Sequence, residues 1–165
     1  MDAVYKNNLM TGSNYKFYPT KPITRSEFVK VLANYDNADL SAYKTSSFKD
    51  VANNKWYMPA VEWAAKLGIV NGTGQGRFSP ERAITREELA VMLSNYFKYK
   101  EFTLPVTVPD GKFTDDAKIS NWARDAVYTL KVAGILKGKT GGKFDPKATA
   151  TRAETAQVFA TVLSL

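Results

Sequence analysis

Apolar side chains return every third or fourth position along three separated stretches: Phe28, Val31, Leu32 and Tyr35; Leu89, Met92, Leu93 and Tyr96; Val158, Phe159, Val162 and Leu163. That period predicts helices with one buried face. Each stretch opens on the same start signal, because Thr24, Thr85 and Thr151 stand three residues before Glu27, Glu88 and Glu154. This is the capping-box spacing, in which a hydroxyl and a carboxylate satisfy backbone N–H groups at a helix start. Ile23 with Phe28, and Ile84 with Leu89, add an apolar staple that Ala150 and Thr155 lack, so the third helix is expected to start more weakly. Upstream, a second set of one-sided helices is predicted over 59–67 and 122–133, the latter with Ala126, Val127, Leu130 and Ala133 as its stripe. Pro59 suits a first helical turn, and Gly68 and Gly134 stop these helices.

The pattern is a repeat. Phe17-Tyr18-Pro19 leads to Ile23-Thr24-Arg25, Phe78-Ser79-Pro80 to Ile84-Thr85-Arg86, and Phe144-Asp145-Pro146 to Ala150-Thr151-Arg152, with a Phe-to-Arg spacing of eight each time. Asn8 takes the place of Gly68 and Gly134, and asparagine is the other residue that tolerates a left-handed helix end. Phe48-Lys49-Asp50 precedes Trp56, and Phe113-Thr114-Asp115 precedes Trp122. The first copy has no such stretch, and is expected to be cut at its N-terminus. One helix-loop-helix unit cannot cover its own apolar faces, so three equivalent stripes point to an all-α fold with a central bundle of pseudo-threefold symmetry. The copies are expected at 1–40, 41–100 and 101–165, joined by long polar connectors over 36–47 and 98–112.

Composition narrows the chemistry. The 165 residues are 44 % hydrophobic and 24 % charged, which suits a packed core and argues against disorder. Lys plus Arg number 23 against 16 acids, a formal charge of +7, which favours an acidic partner. The positive charges are spread out, with no dense basic tract, so nucleic acid is not expected as the partner. The chain has no cysteine and no histidine, which excludes disulfides, thiol chemistry, imidazole–zinc sites and Ser-His-Asp catalysis. No apolar run is long enough for a membrane span, and no hydrophobic leader opens the chain, which is read here as a piece of a longer secreted protein. The loops around Gly72 and Gly138 are not phosphate loops, since Ala133 stands where a glycine is needed and no strand precedes either. Asp115-Asp116 lacks the alternating ligands of a calcium loop; no metal or cofactor is expected.

Arg25, Arg86 and Arg152 each follow the N-cap threonine, an electrostatically unfavourable place for a cation. Two readings stand side by side: the helix end and the guanidinium jointly capture an anion, or the arginine pairs with a carboxylate of the neighbouring copy. Trp56 and Trp122 either plug joints between copies or form sugar platforms; Asp50 and Asp115 either cap the first helices or accept from sugar hydroxyls. Lys16, Arg77 and Lys143, just before each Phe-x-Pro, read as solvated charge by default.

Taken together, Phe-x-Asp, Trp, Ala-Val, Gly-Ile-Val/Leu-x-Gly, Phe-x-Pro and Thr-Arg-x-Glu resemble the S-layer homology (SLH) domain, in three tandem copies covering nearly the whole chain. The resemblance implies a three-lobed pseudo-trimer around a central three-helix bundle. It also implies a non-catalytic, extracellular module that anchors S-layer or exocellular proteins to the secondary polysaccharide linked to peptidoglycan, without membrane insertion. The implied ligand is a pyruvylated amino sugar whose carboxylate meets Arg25, Arg86 and Arg152, with Asn71, Gly12, Gly72 and Gly138 lining the grooves. A monomer is expected, with segment exchange open to it because the first copy is short. On this reading Arg86→Ala weakens binding and spares the fold. The competing functions are a carboxylate-only glycan hydrolase, a general polyanion binder and a protein–protein scaffold.

Overall fold

The computed structural model describes residues 2–11 and 16–165. Six α-helices follow in order: α1 Asp2–Lys6, α2 Arg25–Tyr35, α3 Met58–Lys66, α4 Arg86–Tyr99, α5 Asn121–Val132 and α6 Arg152–Val162. Short 3₁₀ turns at Asp116–Lys118 and Thr140–Gly142 complete the regular structure. No β-strand forms among the described residues, so the fold is all-α as the periodicity predicts. All three capping boxes are formed. α3 and α5 lie one residue N-terminal of their predicted spans, because Leu67 and Ala133 are the C-caps. The left-handed ends fall where the sequence places them, with φ of 54° at Asn8, 69° at Gly68 and 74° at Gly134.

The central helices α2, α4 and α6 meet through aromatic side chains. Phe28 and Phe159 pack at 5.9 Å, Tyr35 and Phe159 at 5.7 Å, and Tyr35 and Tyr96 at 5.8 Å between ring centroids. Phe28, Leu32, Leu93 and Phe159 are fully buried there. Around this bundle each first helix packs on the central helix of the preceding copy: α3 on α2, α5 on α4, and α1 on α6, which closes the cycle. The lobes therefore cross the copy boundaries, and no copy is a self-contained unit.

A collar of backbone hydrogen bonds holds the N-terminal ends of the bundle together. Ile84 N–H donates to Ile23 O, Ile23 N–H to Ala150 O, and Ala150 N–H to Ile84 O, at 2.9–3.0 Å. A second ring runs from Arg25 N–H to Arg82 O, from Arg86 N–H to Ala148 O and from Arg152 N–H to Lys21 O, each at 2.9 Å. A third runs from Ser26, Glu87 and Ala153 N–H to the carbonyls of Pro80, Pro146 and Pro19. With the threonine caps, these rings satisfy the N–H groups that a helix start leaves without intrahelical partners.

Candidate functional site: grooves between the copies

Each Thr-Arg-x-Glu arginine reaches into the next copy around the ring. Arg25 Nε donates to Phe78 O at 2.9 Å, Nη2 to Asn71 O at 3.2 Å and Nη1 to Glu88 at 3.1 Å. Arg86 repeats this with Phe144 O, Lys137 O and Glu154, at 2.8, 2.9 and 2.9 Å. Arg152 donates from Nε to Phe17 O and from Nη2 to Thr11 O, but forms no ion pair among the described residues. All three guanidiniums lie over the phenylalanine of the neighbouring Phe-x-Pro, at 4.6, 5.0 and 4.9 Å from the ring centroid for Arg25, Arg86 and Arg152. Arg25 and Arg86 are only 3 % and 8 % exposed. For these two, the pairing with a neighbouring carboxylate is the one that forms.

The collar corrects a further expectation. The backbone N–H groups at the starts of α2, α4 and α6 are all engaged by carbonyls of the next copy or by the cap itself. None of these three helix starts is open to an anion; the charge that faces outward beside them comes from side chains. Glu88 carries the same lesson. Burial raises its pKa, but hydrogen bonds from Arg82 and from Thr85 N–H, with Arg25 close by, outweigh that and hold the carboxyl below its ordinary range. Burial lowers the Arg25 pKa, with Glu88 opposing, and a guanidinium stays charged regardless.

Beside each arginine lies an open groove. The first, about 360 Å³, is lined by Thr11, Lys21, Glu27, Lys30, Trp56 and Arg152 among others. The second, about 450 Å³, holds Arg25, Asn71, Gly72, Arg82, Glu88 and Trp122. The third, about 170 Å³, holds Arg86, Lys137, Gly138, Lys139, Glu154 and Val158. Small-ligand sites run to roughly 300–1,000 Å³, so the first two have room for a sugar unit and the third is cramped. Trp56 and Trp122 are each 61 % exposed, which rules out a buried plug at a joint.

The structure thus gathers Arg25, Asn71, Gly72 and Trp122 in one groove, Arg152 and Trp56 in another, and Arg86 and Gly138 in the third. Gly12 lies outside the described residues. Gly72 is glycine for space: a Cβ would stand 2.5 Å from Arg77 O and 3.1 Å from the Phe48 ring. Asp50 and Asp115 neither cap the first helices nor line a groove. Asp50 accepts from Phe78 and Ser79 N–H, and Asp115 from Phe144 and Asp145 N–H, at 2.7–2.9 Å. They pin a corner in which Ser79 and Asp145 are left-handed, with φ of 58° and 59°. The sequence reading missed Lys21 and Arg82, which add a second cation to the first two grooves. Their signal was present: both stand four residues before the key arginine, where the third copy has Ala148. Lys16, Arg77 and Lys143 are exposed and line none of the three grooves.

Comparison with known families gives one match. The profile of the S-layer homology domain fits residues 1–29, 47–90 and 112–156. Among individual proteins, an endoglucanase of Bacillus sp. (strain KSM-635) is 34 % identical over 161 residues, 97 % of this chain and 17 % of its own length. Exoglucanase XynX of Acetivibrio thermocellus is 37 % identical over 90 % of this chain and 13 % of its own. An S-layer protein of Bacillus thuringiensis subsp. finitimus is 35 % identical over 97 % of this chain and 19 % of its own. The chain thus spans less than a fifth of each of these relatives. Among the described residues no helix is long and apolar enough to cross a membrane.

Proposed function

Because the chain belongs to the S-layer homology domain family, we propose that it is an anchoring module at the bacterial cell wall that seats an anionic, pyruvylated sugar of the secondary wall polysaccharide in its inter-copy grooves. Relatives that match this chain over less than a fifth of their own length, named as glucanases in two cases and as an S-layer protein in the third, fit a tether that serves different attached proteins. The observation that carries the ligand reading is a guanidinium at the floor of a roomy groove beside an exposed tryptophan, seen twice, with a second cation each time. A ketal carboxylate suits the cations, and the C–H face of a sugar ring suits the indole.

The grooves are unequal, and their order of strength follows from how far internal carboxylates already occupy their cations and from the room each offers. In the first, Arg152, Lys21 and Lys30 face the single acid Glu27, and no internal carboxylate neutralises Arg152 among the described residues. In the second, Glu88 binds both Arg25 and Arg82, so a ligand carboxylate competes with it. The third has the smallest cavity; Ala148 stands where the other copies have Lys21 and Arg82, and of its two lysines, Lys137 and Lys139, the latter is paired with Asp145. Binding is therefore strongest at the first groove and weakest at the third. A hydrolytic role would need two carboxyl groups poised across a cleft; Glu27, Glu88 and Glu154 instead spend an oxygen each on the Thr24, Thr85 and Thr151 N–H caps.

Retention on purified cell-wall sacculi, native against chemically depyruvylated, tests this reading. Retention on native sacculi that is lost after depyruvylation supports it. Equal retention on both, with steep salt dependence, would make the chain a general polyanion binder. Retention by a purified protein partner in the absence of glycan would make it a scaffold, and release of soluble sugar from the sacculi would make it an enzyme.

A further inference from the structure

We infer that the first groove continues into a second subsite, an amide-lined trough that takes the uncharged sugar next to the charged one; this rests on the wall-polysaccharide reading above. The trough, about 310 Å³, is lined by Asn7, Asn8, Asn34, Asn37, Lys30 and Leu40, with Ala33 and Ala38. Lys30 and Asn34 also line the first groove, so the two cavities adjoin along the face of α2. No carboxylate lines the trough, and its one cation is the residue it shares with the groove.

Four amides around one cavity suit a neutral polyol better than an ion. Each side-chain amide offers two donors and an acceptor, which match the hydroxyl or acetamido groups of a sugar, while Leu40 and the two alanines offer an apolar strip. Two of the amides are set by hydrogen bonds, and two are left to meet a ligand. Asn7 Nδ2 donates to Ala3 O at 2.7 Å, and Asn34 Nδ2 donates to Leu9 O at 3.3 Å, which leaves the Asn34 carbonyl oxygen as an acceptor. Asn8 and Asn37 both hold the left-handed conformation, with φ of 54° and 51°, and their side chains have no hydrogen-bond partner among the described residues.

Of the four amides the second copy keeps only Asn95, at the position of Asn34, and the third keeps none. The positions of Asn7, Asn8 and Asn37 are Leu67, Gly68 and Lys98 in the second copy and Ala133, Gly134 and Ser164 in the third. A bare left-handed helix end needs only glycine, and the other copies use it at the position of Asn8. The amide in the first copy is thus chemistry added to a backbone requirement. The trough makes the first groove a reader of two consecutive sugars, where the others read one.

The test is calorimetric titration of the intact chain with three probes: the methyl glycoside of a pyruvylated N-acetylhexosamine, and the two disaccharides with N-acetylglucosamine on one side or the other. The variant is Asn8→Gly/Asn37→Gly, which removes two amides while keeping residues that accept positive φ. One disaccharide should bind the natural chain about tenfold more tightly than the monosaccharide, the worth of one or two neutral hydrogen bonds. In the variant that advantage should vanish while monosaccharide affinity stays unchanged. Equal affinity of the natural chain for all three probes, or an equal loss for mono- and disaccharide in the variant, would overturn the subsite while leaving the charged-sugar site intact. No binding of any probe by the natural chain would overturn both.

Discussion

Arg86 connects three partners across a copy boundary, and its removal leaves the carbonyls of Phe144 and Lys137 and the Glu154 carboxylate without their donor. The expectation that Arg86→Ala spares the fold is therefore corrected. The variant should lose about 2–4 kcal/mol of stability, read as a lower urea midpoint, because truncating one member of a buried charged network strands the others. Arg152, with no ion pair among the described residues, is the position where binding can be tested at smaller structural cost. Thr155 presents the opposite case. Its side chain is fully buried and its hydroxyl has no hydrogen-bond partner among the described residues, where the other copies place Phe28 and Leu89. Thr155→Val should raise stability by about 1–2 kcal/mol by removing the stranded hydroxyl at nearly constant volume; a lowered thermal midpoint would refute this. Asp50 and Asp115 add a pH dependence. Burial opposes their ionisation, but two backbone N–H bonds each outweigh it and depress their pKa values. A group depressed in the fold stabilises above its unfolded value near 4 and loses that contribution as pH falls through the folded value. The Asp50→Asn/Asp115→Asn chain should thus be weaker at pH 7 and show a shallower fall in urea midpoint between about pH 5 and pH 2.

Elements were the most legible level of this chain. The Thr–Glu spacing gave three helix starts, and Gly68, Gly134 and Asn8 gave the matching helix ends. Those signals are local: a cap or a left-handed end involves residues within one turn of each other, so they are written contiguously. The candidate site was legible only in part, for a physical reason. Arg25, Arg86 and Arg152 stood out through their shared position, but which acid each would meet depends on contacts 63 and 68 residues away for Arg25 and Arg86. Asp50 and Asp115 were misread because their acceptors' partners lie 28–30 residues downstream, in loops with no regular period. Loop glycines can be ranked by the space around them. Gly72→Ala meets the Arg77 carbonyl at 2.5 Å, whereas the nearest atoms to a Cβ at Gly138 are the Phe113 ring at 3.1 Å and the Lys143 carbonyl at 3.2 Å. Gly72→Ala should therefore destabilise more than Gly138→Ala, by about 1 kcal/mol or more in matched denaturation curves.

At the scale of the molecule, the three copies behave as one body, since each lobe and each groove draws on two of them. Linear repeat arrays couple only neighbours and can unravel from an end. Here α1 packs on α6, and Arg152 and Ala153 N–H bond to Lys21 and Pro19, so the array closes on itself. Unfolding should be a single transition, with tryptophan fluorescence and far-ultraviolet dichroism coinciding; two resolved transitions would argue for independent copies. The stripes of α2, α4 and α6 announced a central bundle, but not the collar, because backbone bonds between segments 22–24, 83–85 and 149–151 leave no mark in side-chain pattern.

The direction of the arginine contacts, always from one copy to the next, has a consequence for assembly. Each copy offers a donor face on one side and a different acceptor face on the other, so the joint is heterologous and its rotation happens to close after three steps. A chain engineered to carry two copies would end with one unmatched face of each kind. Such chains would find one another, forming mixed rings or open filaments at high concentration, and a lone copy supplied in trans would suppress that growth by completing a two-copy chain into a closed ring of three.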